Sequence, residues 1–141
     1  MGRYPRRNVN RTTQVLSALP IFSGLEERSL QAIAVLAHEL SAPARTVLIR
    51  EGDPATSFYV IVEGTVHIEH DGRLIRSLSA GGFVGEIGMV EGGTRTATVT
   101  CATNCELLEF GAFELGRVLD TFPTIRARVE TALTRRPHRD G

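Results

Sequence analysis

The chain has 141 residues, 42% hydrophobic and 23% charged, with 16 basic side chains set against 16 acidic ones. That is enough chain for one buried core and too little for two. No apolar run approaches the roughly 20 residues that a bilayer-spanning helix needs, so membrane insertion is not expected. Every base is an arginine, and the zero balance hides an asymmetry. Residues 1–11 carry Arg3, Arg6, Arg7 and Arg11 and no acid, and residues 126–141 carry five arginines against Glu130 and Asp140. Two basic ends flank an acidic body, a pattern that reads first as solvated termini.

Residues 1–11 are expected to be a disordered basic arm, 12–136 one domain and 137–141 a disordered tail. Arg6-Arg7 is followed by too short and too broken an apolar stretch for an export signal, which predicts a cytoplasmic protein. A short helix is predicted from Thr12 to Leu19, with a corner at Pro20 to Phe22. A second helix follows, in which Leu30, Ile33, Ala34 and Ala37 recur at helical spacing as one apolar stripe. Ser23 and Glu26 fit a capping box for it, the hydroxyl and the carboxylate satisfying first-turn amides reciprocally.

After His38 the segments become short, β-branched and glycine-punctuated. Val47–Ile49, Phe58–Val62, Val66–Glu69, Leu74–Leu78, Thr96–Thr100 and Leu107–Phe110 read as strands. Asp71-Gly72 marks a hairpin. About eight such strands with regular turns predict a mainly β fold with flanking helices, an eight-stranded β-roll or jelly roll. Cys101 and Cys105 fall on two strands joined by a turn and read as reduced, partly buried thiols, because no zinc-ligand set accompanies them. Helix returns near Phe113–Leu119 and again from Pro123. In the last helix Phe122, Ile125, Val129, Ala132 and Leu133 share a face, while Arg126, Arg128, Glu130 and Arg135 lie largely off it.

One stretch, residues 81–99, interrupts the strand pattern with six glycines. Gly85-Glu86-Ile87-Gly88 can open a single helical turn whose first amides lack internal partners and favour an anion. Nine residues after Glu86 stands Arg95, at a strand start within an otherwise acidic body. Its guanidinium can fork onto phosphate oxygens, and the Glu86 carboxylate can accept hydrogen bonds from sugar hydroxyls.

Gly85-Glu86-Ile87-Gly88-Met89 followed by Arg95-Thr96-Ala97-Thr98-Val99 resembles the phosphate-binding cassette of the cyclic nucleotide-binding domain family. That family is the module of catabolite-activator-like transcription factors, cyclic-nucleotide-dependent kinases and cyclic-nucleotide-gated channels. Ile49–Pro54 and Phe58–Val66 are similar to its early strand and turn pattern, and the likeness runs from about Leu19 to Leu133. The resemblance implies eight strands, N-terminal helices, a short cassette helix and two C-terminal helices. It implies a 3′,5′-cyclic nucleotide as ligand, cAMP ahead of cGMP, and no further cofactor. Glu86 would take the ribose 2′-hydroxyl and Arg95 the cyclic phosphate, with support from amides near Gly85, Ile87 and Gly88. Thr96 would contact the base or phosphate. Val84 and Val99 are expected as pocket walls, and Val129 and Leu133 as parts of a C-terminal lid helix.

Three other classes are weighed against that reading. A metalloenzyme on a jelly-roll scaffold would need converging ligands, yet His67 and His70 stand at odd spacing on one strand and no nucleophile–base set is visible; no enzyme is expected. A specific DNA-binding regulator would need a recognition helix, for which the chain leaves no room after residue 136. The alternative kept open is a ligand-free interaction subunit, working through a protein effector or self-association by its last helix.

Overall fold

In the computed structural model, residues 9–54, 56–85 and 97–135 are described. The N-terminal layer comprises helix α1 (Val9–Ser17), a 3-10 turn (Pro20–Phe22) and helix α2 (Glu27–Leu36). Eight strands follow: β1 (His38–Ala42), β2 (Val47–Ile49), β3 (Ser57–Glu63), β4 (Val66–His70), β5 (Arg73–Leu78), β6 (Phe83–Val84), β7 (Thr98–Cys101) and β8 (Cys105–Gly111). Helices α3 (Ala112–Thr121) and α4 (Pro123–Arg135) close the described chain. The strands form two antiparallel four-stranded sheets, one ordered β1-β8-β3-β6 and the other β2-β7-β4-β5. The eight-stranded roll with helices on either side in sequence is therefore present.

The first sheet is buried on both faces, and side-chain alternation along it decides what each face touches. Phe58 and Val60 of β3, with Leu108 and Phe110 of β8, turn toward the helices. There they meet Leu16, Phe22, Ile33, Leu115, Val118, Ile125 and Val129. Tyr59 and Ile61 of β3, with Cys105 and Leu107 of β8, turn into the roll and meet Ile49, Val66, Ile68 and Val99 of the second sheet.

The predicted stripe of α2 faces the core, with Leu30, Ile33, Ala34 and Ala37 all buried. Two local expectations are corrected. Helix α1 begins at Val9, so Arg11 is helical rather than part of an arm and pairs with Glu39 at 3.1 Å. The capping box does not form: α2 starts at Glu27 with Glu26 at its N-cap and no side-chain cap. Ser23 instead closes the preceding 3-10 turn, its amide donating to the Pro20 carbonyl. His38–Ala42, for which the sequence carries no strand period, is a strand paired along its length with β8, from His38 opposite Glu109 to Ala42 opposite Cys105.

Candidate functional site

The glycine-rich stretch is mounted between the two sheets. β6 pairs with β3 in the first sheet, Tyr59 opposite Val84 and Val60 opposite Phe83. β7 lies in the second sheet between β2 and β4. The chain therefore leaves one sheet after Val84 and enters the other at Thr98. Gly85 sits at φ 98°, a left-handed value that glycine reaches without the steric cost a side chain incurs, and this turns the backbone out of β6. Of the predicted ligand-binding residues, Gly85 alone is described. Glu86, Ile87, Gly88, Arg95 and Thr96, and with them the expected cassette helix, lie outside the described residues.

The flanks of the stretch are apolar and closed. The two residues of β6 point to opposite faces, Phe83 to the helices and Val84 into the roll. On the far side Ala97 and Val99 are fully buried, in the same cluster as Val84, Tyr59 and Ile61. The two expected wall residues Val84 and Val99 are thus brought together in one apolar patch between the points where the stretch leaves and re-enters the roll. The Tyr59 hydroxyl reaches across the roll to the Leu48 carbonyl at 3.5 Å. The Thr98 hydroxyl accepts the Glu51 amide at 3.0 Å and ties the start of β7 to the β2–β3 turn.

Val129 is elsewhere. It is buried among the helices, on the opposite side of the first sheet from Val84 and Val99, and does not wall their patch in this arrangement. The Leu133 side chain lies outside the described residues. Helix α4 is fastened to α3 through Arg126, whose Nη2 meets Asp120 Oδ1 at 2.9 Å and whose Nε donates to the Leu119 carbonyl.

Other reactive groups have structural explanations. Cys101 and Cys105 are both free and buried, on β7 and β8 as expected. Burial, reinforced by Cys105 beside it, pushes the Cys101 thiol up to about 12, so it stays protonated and unreactive near neutrality. Among the described residues, Glu51, His70 and Asp71 form the single grouping of three side chains that could reach one metal ion. Their geometry is that of a tie between turns: His70 Nδ1 faces Glu51 at 3.3 Å and its Nε2 faces Asp71 at 3.3 Å. The two ring nitrogens face different carboxylates, so the imidazole ties the β4–β5 turn to the β2–β3 turn. No helix among the described residues is long and apolar enough to cross a membrane.

The model of the cyclic nucleotide-binding domain family matches residues 39–122, from β1 to the end of α3. The chain belongs to the cyclic nucleotide-binding domain family. It is 32% identical over 132 residues to a cyclic nucleotide-gated potassium channel of Rhizobium etli, covering 93% of this chain and 37% of the channel. Among solved structures, a cAMP-binding acyltransferase from Mycobacterium smegmatis superposes with a TM-score of 0.72 at 30% identity, over 89% of this chain and 40% of that one. A kinase regulatory-subunit domain, CBD2 of PKAR bound to Sp-2Cl-cAMPS, superposes at 0.76 over 89% of this chain and 90% of that one; at 19% identity it speaks to the fold. The chain spans between 27% and 50% of the length of the first curated relatives it matches. A cyclic nucleotide-binding domain is what those longer proteins share with it.

Proposed function

We propose that this domain binds a 3′,5′-cyclic nucleotide, cAMP in preference to cGMP, at the stretch between β6 and β7. It acts as a regulatory module without catalytic activity of its own, and its C-terminal helix moves on binding. The observation that carries the reading is that Glu86 and Arg95 occur together, at cassette spacing, in the sequence between β6 of one sheet and β7 of the other, whose residues Val84 and Val99 share one buried apolar cluster. In this reading Arg95 neutralises the cyclic phosphate together with backbone amides near Gly85, Ile87 and Gly88, and Glu86 accepts from the ribose 2′-hydroxyl. Thr96 contacts the base edge or phosphate, and Ile87 lies against the sugar. The apolar patch then excludes water beneath these contacts, which strengthens them. The 30% identical acyltransferase, whose description names cAMP, supports the choice of ligand.

Calorimetric titration of nucleotide-stripped protein with cAMP and then cGMP tests this. One saturable site with tighter binding of cAMP is expected. A charge-assisted hydrogen bond is worth about 1.5–3 kcal/mol, so Arg95→Ala is expected to weaken binding by about 10–100-fold. Glu86→Gln is expected to narrow the preference for ribose over 2′-deoxyribose ligands. Absence of heat and of thermal stabilisation with either nucleotide would overturn the proposal and leave an interaction subunit on an emptied fold.

A further inference from the structure

Glu51 stands just after β2, His70 closes β4, and Asp71 opens the β4–β5 turn at φ 53°. The fold holds this frame by its backbone. The Glu51 amide donates to the Thr98 hydroxyl at 3.0 Å, and His70 is paired with Arg73 across the hairpin. The Asp71 amide donates to Glu51 Oε1 at 3.3 Å, which orients that carboxylate and leaves its Oε2 facing His70. One ligand atom from each of the three side chains falls within 4.8 Å of the other two. Both nitrogens of the imidazole face a carboxylate oxygen at 3.3 Å. A charge-assisted N–H···O bond closes to about 2.7–2.9 Å, whereas a tetrahedral ion with bonds of about 2.0–2.1 Å holds its ligand atoms about 3.3–3.4 Å apart. The observed spacing matches the second figure. A neutral imidazole, moreover, has one N–H for two facing carboxylates, so one ring nitrogen meets its oxygen lone pair against lone pair. A cation between them removes that conflict and neutralises the two carboxylates. Beside His70 and Asp71 an open cavity of about 450 Å³ gives water access to the remaining coordination positions.

We propose that Glu51, His70 and Asp71 bind one divalent first-row transition ion, Zn²⁺ foremost, which locks the β4–β5 hairpin onto the β2–β3 turn. One imidazole and two carboxylates suit Zn²⁺, whereas Mg²⁺ and Ca²⁺ take oxygen ligands. Nδ1, the nitrogen facing Glu51, takes the ion, and Nε2 keeps the ring proton. The Asp71 side chain is 77% exposed, so a rotamer change brings its carboxylate to the same ion without moving the turn. Three protein ligands and a water then complete the shell. Cys101 and Cys105 take no part, because both are buried inside the roll. The site is structural, and it stands whether or not the β6–β7 stretch takes a nucleotide.

Calorimetric titration of the chelator-stripped full chain with Zn²⁺ tests this. One ion per chain is expected, with a Kd below about 100 µM. His70→Ala is expected to weaken uptake by about tenfold or more, and Glu51→Gln and Asp71→Asn by about threefold or more each. All three side chains lie on partly solvated turns, so the variants keep the fold, and a metal-free thermal melt checks that they do. His67→Ala, on the same strand but at odd spacing from His70, is expected to bind as the wild type does. Zinc X-ray absorption is expected to show nitrogen and oxygen ligands and no sulfur. In hydrogen exchange, Zn²⁺ is expected to slow residues 66–78 of the wild type and to leave those of His70→Ala unchanged. Uptake weaker than about 100 µM, uptake unchanged in His70→Ala, a sulfur shell, or equal affinity for Mg²⁺ would each overturn the proposal.

Discussion

The two faces of the first sheet are built from different materials. The helix side carries bulk: Phe22, Phe58, Phe83 and Phe110 form a chain of tilted ring contacts, with centroids 5.6–6.2 Å apart. The roll side carries smaller and β-branched groups, with Ala42, Val66, Val84, Ala97, Val99 and two cysteines among them. Large aromatic rings bury much area and lock helices onto the sheet from outside. Small side chains let the two sheets approach and bury both described ends of the glycine-rich stretch, Val84 on one side and Ala97 and Val99 on the other, in one apolar cluster. The helix side is a fastening surface, and the roll side is a lining.

That contrast can be broken from the helix side with the largest effect. Phe110→Ala removes the ring that touches both Phe22 and Phe58, and a loss of about 3–5 kcal/mol is expected in denaturant unfolding. A loss below 1 kcal/mol would mean the aromatic chain is not what holds the layers. Next comes the roll side. Gly64 turns between β3 and β4 at φ 102°, and a Cβ there would lie 2.5 Å from the Asn104 carbonyl oxygen and 2.8 Å from Cys105 Sγ. Gly64→Ala is expected to cost about 1–3 kcal/mol, with exchange rising at the β3–β4 and β7–β8 turns and not in α1 or α2. The alkaline limb of stability sharpens the comparison further, because the Cys101 thiol belongs to the lining. It ionises near 9.0 when unfolded and at about 12 when folded, so its contribution is complete below pH 9 and is lost as pH rises toward 12. The expected slope is about 1.4 kcal/mol per pH unit, and Cys101→Ala should flatten it. Smallest is His70→Ala, which unties the hairpin from the β2–β3 turn; these groups are partly solvated, so less than about 1 kcal/mol is expected, with exchange rising in β4 and β5 alone.

The sequence makes the roll side more legible than the junctions. Val47–Ile49 and Phe58–Val62 are short apolar runs dense in β-branched and aromatic residues that declare strand, and in Val66–Glu69 the alternation of Val66 and Ile68 with His67 and Glu69 declares the face as well. His38–Ala42 reads His-Glu-Leu-Ser-Ala, which has no such signal; pairing with β8 makes it a strand, helped by Ser41 donating to Glu106 and Thr12 donating to Glu39. β6, at two residues, is too short for any period. The capping pattern at Ser23 and Glu26 misleads because the 3-10 turn uses Ser23 first. Glu86 and Arg95 are found by motif, a local signal. Glu51 and His70 carry no local signal for each other, because only the packing of the β2–β3 turn against the β4–β5 turn brings them together.

The pairing of β1 with β8 has a mechanical consequence. The roll begins at His38 and ends at Gly111, and these ends lie at the same edge of two adjacent antiparallel strands, His38 opposite Glu109. Tension entering through the helices would therefore peel β1 from β8 one hydrogen-bonded pair at a time, instead of shearing all of them together. A domain loaded this way yields gradually at low force.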